Sequence, residues 1–157
     1  MALGASPQES QIRLRPGDTE KLCRTLEQLL PPEGAGIYLI SRSGQELAAV
    51  VRRHPRDRQA LASLAAGVLA AAQALGEALG RSGVQRFLQW GPHQSLLLAP
   101  VGERAVLLLV LDRGVHDTMA RRKLDRAALV LDDILAGADA LDSAPGRGDN
   151  GWRGGAG

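Results

Sequence analysis

The chain has 157 residues, the length of one ordinary domain, and its 45% apolar and 23% charged content supports a packed core and excludes wholesale disorder. Aromatic residues are only 3%, too few for a protein that stacks bases or sugars, and 19 basic against 17 acidic residues leave a net charge of +2. That balance offers no basic surface of the kind nucleic acid requires, and a lone Cys23 excludes an intramolecular disulfide and a cysteine-based zinc site.

Residues 1–16 are polar and patternless and read as an N-terminal arm ending near Pro16-Gly17. Asp18 is the N-cap candidate for a short helix carrying Leu22, Leu26, Leu29 and Leu30, stopped by Pro31-Pro32. Gly36 to Ser41 (GIYLIS) and Gln45 to Val51 (QELAAVV) read as a hairpin whose SRSG turn uses Gly44 at positive φ. After RRHPRDR a long helix runs from about Asp57 to Leu79. Val84 to Trp90, Ser95 to Pro100 and Arg104 to Asp112 follow as three strands in a meander. A last helix, from about Asp117 to Leu135, aligns Leu124, Ala127, Ala128, Leu131 and Leu135 on one face. The order α-β-β-α-β-β-β-α predicts an α+β fold, a five-stranded antiparallel sheet sandwiched by helices in a single domain over residues 17–140. Residues 141–157 form a Gly-rich tail with too little apolar content to order itself.

The long helix is the most informative segment. At 100° per residue, Leu61, Leu64, Val68, Leu75 and Leu79 converge and are expected to cover the sheet. The opposite face then holds Gln59, Ala62, Ser63, Ala66, Ala70, Gln73, Ala74 and Glu77. No charge occurs from Gln59 to Gly76, where a solvated helix would normally carry Lys, Glu or Arg. Small residues recurring at Ala62, Ala66, Ala70 and Ala74 leave a smooth strip on which a partner helix could sit closely at little side-chain entropy cost. The plainer alternative is an exposed helix rich in alanine, the best helix former. The same stretch is nearly long enough for a membrane span, but its Ala and Gly content, with Ser63 and Gln73 inside it, argues against one.

Catalytic chemistry is not visible. His54, His93 and His116 lack ligand spacing, so no metal site is expected, and no cofactor-binding loop or nucleophile elbow occurs. Gly34-Ala35-Gly36 precedes a strand, where a dinucleotide fingerprint must follow one. Arg52, Arg53, Arg56 and Arg58 cluster before the long helix, and Arg121, Arg122 and Lys123 open the last one. Both clusters read as solvated segments, with the first also placed to steer an acidic partner towards the small-residue strip.

With the SRSG turn, the helix LASLAAGVLAAAQALGEALG (Leu61 to Gly80) and the strand AVLLLVLD, the chain resembles the roadblock (dynein light-chain) superfamily, in particular its bacterial MglB-like branch. The resemblance runs from about Asp18 to Leu135. Ser41 stands where many relatives begin the first hairpin turn with an acidic residue, and Val68 replaces a polar residue often found after the Ala-Gly pair. The lone cysteine points to a reducing compartment, the cytoplasm, and the resemblance implies a non-enzymatic homodimer paired through the third strand and the central helix, with Val84, Arg86, Phe87 and Leu88 at the dimer interface. It further implies that a small Ras-like GTPase binds across the paired helices and is stimulated to hydrolyse GTP. Ala62, Ala66, Ala70, Gln73 and Ala74 would then meet the GTPase, with Arg56 and Arg58 beside them; no cofactor, nucleic acid or membrane enters. The alternatives are a passive assembly adaptor, as other roadblock proteins are, and a small-molecule sensor on a similar sandwich.

Overall fold

The computed structural model describes residues 12–81, 86–112 and 118–142, with side chains of the last helix described over 121–138. Its elements are α1 (Pro16–Leu29), β1 (Gly34–Ser41), β2 (Glu46–Val51), α2 (Arg58–Ala78), β3 (Phe87–Trp90), β4 (Gln94–Val101), β5 (Ala105–Asp112) and α3 (Thr118–Asp142). This is the expected order. The strands form one antiparallel sheet, β2-β1-β5-β4-β3, so β2 and β3 are its edges.

Helix α1 begins earlier than expected. Pro16 enters its first turn, where a missing N–H costs nothing, and Arg15 takes the N-cap position. Asp18 acts from inside the helix, its carboxylate accepting the Arg15 backbone N–H at 3.1 Å, the returning half of a capping box. Asp57 caps α2 as expected, accepting the Ala60 N–H at 2.9 Å. The Gly34-Ala35-Gly36 triplet lies inside β1, where a register shift between Gly34 and Gly36 interrupts the pairing with β5.

The molecule has three layers. On one face of the sheet, α1 and α3 bury Leu22, Leu26, Leu124, Ala127, Leu131 and Leu135 against Ile37, Leu39, Leu107, Leu109 and Leu111. On the other face, among the described residues, α2 lies alone, over Tyr38, Ile40, Leu98, Leu108 and Val110. Every residue of β1 is buried and β5 is buried up to Asp112, because each central strand is covered on both faces; this is why they read as unbroken apolar runs. One helix cannot cover a five-stranded face, and Phe87 and Leu96 are only partly buried beneath it.

Candidate functional site

The orientation of α2 corrects the sequence-based expectation. Ala62, Ala65, Ala66 and Leu69 face the sheet, whereas Leu64, Leu75 and Leu79 are 67%, 64% and 72% exposed and Val68 also points outward. Ala62 and Ala66 therefore belong to the core beneath the helix. The physical reason is complementary size. The sheet presents large side chains (Tyr38, Ile40, Leu98 and Leu108), and an alanine surface lets the helix axis approach them without leaving voids. Ala70 and Ala74 are exposed, as expected, and Gln73 is half-buried.

The outward surface has two flanks. By helical geometry the Leu64–Val68–Leu75–Leu79 ridge lies on the side of Leu61, which lines a cavity with Leu96 of β4 and Val110 of β5. The opposite flank, with Ser63, Ala70 and Ala74, adjoins the β1–β2 turn: a Cβ added at Gly44 (φ +89°) would stand 2.9 Å from the Ser63 Cα. By length and composition α2 could also cross a membrane, but here it is capped by Asp57 and seated on the sheet.

The β3 edge adjoins this face. β3 pairs with β4 only, leaving its outer side open among the described residues. Phe87 and Leu88 are half-buried, and Arg86 pairs with Asp125 of α3 at 2.8 Å. Val84 lies outside the described residues, as does His116; His54 and His93 are exposed.

The arginine cluster divides by partner. Arg52 donates to the Pro31 carbonyl at 2.6 Å and to that of Pro32 at 3.1 Å, closing the end of α1. Arg53 is ion-paired with Asp112. Arg58 grips both oxygens of Glu46 through Nε, at 2.9 and 2.7 Å, and lies over the Tyr38 ring, 6.0 Å from its centroid. The hydrogen bonds to Glu46 raise the Arg58 pKa, and burial raises that of Tyr38 against the opposing influence of Arg58. Arg56 is exposed and has no hydrogen bond or ion pair among the described residues, which leaves it the freest of the four to meet a partner.

Two features escaped sequence reasoning. Ser41 is buried, and its Oγ accepts the Gln45 N–H at 3.0 Å, so a hydroxyl supplies the acceptor that an acidic residue would bring to this turn. Arg42, in the same turn, donates through Nη1 to Oε1 of Gln73 at 2.6 Å across 31 residues of chain. Nothing in the local pattern signals that bond. Among the described residues no group of three or more His, Cys, Asp or Glu side chains could hold a metal ion. A cavity of about 250 Å³ between α1, β5 and α3 is lined by Leu29, Leu30, Ile37, Leu109, Leu111 and Leu124 together with the polar Gln28, Glu33 and Lys123.

Comparison with known proteins agrees with this fold. The Roadblock/LC7 domain model matches residues 24–111, more than half of the chain. No curated protein matches it. Among solved structures, MglB with tetrameric arrangement is 29% identical at a TM-score of 0.74, covering 85% of this chain and 99% of that one. The gliding protein MglB from Thermus thermophilus is 28% identical at 0.71, with the same coverages. Myxococcus xanthus MglB, at 22% identity, a TM-score of 0.66 and coverages of 85% and 96%, shares the fold. The chain belongs to the Roadblock/LC7 family, with MglB among its structural neighbours.

Proposed function

We propose that this chain is a cytoplasmic homodimer, without enzymatic activity of its own, that binds a small Ras-like GTPase and promotes GTP hydrolysis. The observation that carries the reading is the leucine ridge of α2 standing exposed beside an open strand edge. A second copy meets both needs: β3 pairs with its symmetry mate through Arg86, Phe87 and Leu88, and the Leu64–Leu79 ridges pack across the two-fold axis. Burying a side chain of this size contributes about 1.5–3 kcal/mol, and two-fold symmetry repeats every contact. The small-residue flanks, with Ala70 and Ala74, then remain outermost and receive the GTPase. Ala62 and Ala66 support that surface from below, and Arg56 steers an acidic partner.

Stimulation in this scheme comes from positioning the GTPase's own groups, since phosphoryl transfer depends mainly on orientation and electrostatics. The ties of Arg52, Arg53 and Arg58 to their own fold favour that over an arginine supplied in trans. The same ties support the second reading, a passive adaptor that leaves turnover unchanged. The test is binding of a purified small Ras-like GTPase from the same organism, loaded with GDP or with a non-hydrolysable GTP analogue, to the wild type and to Ala70→Arg. Tight binding in the analogue state, lost on Ala70→Arg, supports the proposal; absence of binding in both states refutes it.

A further inference from the structure

We infer that the Arg42 guanidinium is an anion-recognition point of the α2 surface, taking a carboxylate from the bound GTPase; this rests on the GTPase reading above. Arg42 is fixed at both ends. Its backbone N–H donates to the Arg104 carbonyl at 3.0 Å, and its Nη1 donates to Gln73. Nη2 lies 3.4 Å from the Gly102 carbonyl, and Nε is buried with no acceptor.

Each of these acceptors is neutral, and among the described residues Arg42 makes no ion pair. Burial works against its charge, with Glu103 opposing that from a distance. Four other arginines meet carboxylates: Arg24 has Glu20, Arg53 has Asp112, Arg58 has Glu46 and Arg86 has Asp125, while exposed Arg52 is held by carbonyls. A half-desolvated cation held only by neutral groups costs free energy that an incoming carboxylate returns. Because Gln73 already holds the guanidinium, pairing costs little further side-chain entropy. Nη2 is the group left for the new charge-assisted bond.

The position suits the proposed partner. Gln73 sets the guanidinium against the flank of α2 that carries Ala70 and Ala74, and Gly44 seats the same turn on Ser63. Short side chains let a partner backbone approach, and the arginine selects for negative charge on it.

The test measures affinity of the purified, analogue-loaded GTPase for wild type, Arg42→Gln, Arg42→Lys and Ala70→Arg, at low and physiological salt. Arg42→Gln is expected to weaken binding about ten- to a hundredfold and to flatten its salt dependence, while Arg42→Lys keeps part of the affinity. In the wild type the Arg42 Nε–H resonance should shift when the GTPase is added, a readout that needs no variant to fold. If Arg42→Gln binds like the wild type, or the resonance is unmoved, while Ala70→Arg abolishes binding, the anion site is overturned and the GTPase reading stands. If the wild type binds no GTPase, both fall.

Discussion

Ala66 and Leu64 stand two residues apart on α2 and face opposite ways, Ala66 at 5% exposure against the sheet and Leu64 at 67% exposure. The same helix therefore has one apolar surface that stabilises the protomer and another free for association. Leu69→Ala, at a fully buried position beneath the helix, should lower the unfolding free energy by about 2–5 kcal/mol in chemical denaturation. Leu64→Asp combined with Leu75→Asp should leave the protomer folded but convert a dimer into a monomer by light scattering. A protomer that unfolds on those exposed changes would reverse the assignment of the two surfaces.

Two glycines should respond in opposite directions. Gly44 has φ +89° and no room for a Cβ against the Ser63 backbone, so Gly44→Ala should cost about 2 kcal/mol or more. Gly67 sits inside α2 with nothing within 4 Å of an added Cβ, and Gly67→Ala should stabilise by up to about 1 kcal/mol. Thermal melts of the two variants beside the wild type decide this.

Tyr38 is the chain's one tyrosine, so its ionisation can be followed by ultraviolet absorbance without interference from another phenol. Burial raises its pKa above the ordinary 10.0. The folded state thus holds the proton more tightly than the unfolded chain. Its contribution to stability is full below about pH 10 and is lost as pH rises through the folded value. Arg58→Gln removes the cation that lowers this pKa and should move the titration higher still; a shift downward would contradict the placement of Arg58 over the ring.

The order of elements was legible because turns and caps are local: Asp57 before α2, Gly44 in the hairpin, Pro31-Pro32 after α1. The absence of charge on α2 was legible too, and it correctly marked a helix apolar on more than one side. Its rotation was not. Alanine and leucine are both apolar, and a period of 3.6 residues cannot say which stripe is inside; the bulk of Tyr38, Ile40, Leu98 and Leu108 on the sheet decides that. The Arg42–Gln73 bond and the Arg58–Glu46 pair join distant segments and leave no local pattern. Pro16 was hidden for a different reason, since a proline reads as a breaker until its place in the first helical turn is known.

The most direct test of the central claim is single-turnover GTP hydrolysis by a purified small Ras-like GTPase from the same organism, with increasing amounts of this protein. Wild type should raise the rate at least about tenfold, with saturation, and Ala70→Arg should remove the effect while keeping its melting temperature. An unchanged rate at concentrations where the two proteins form a complex would contradict GTPase activation and leave a passive adaptor.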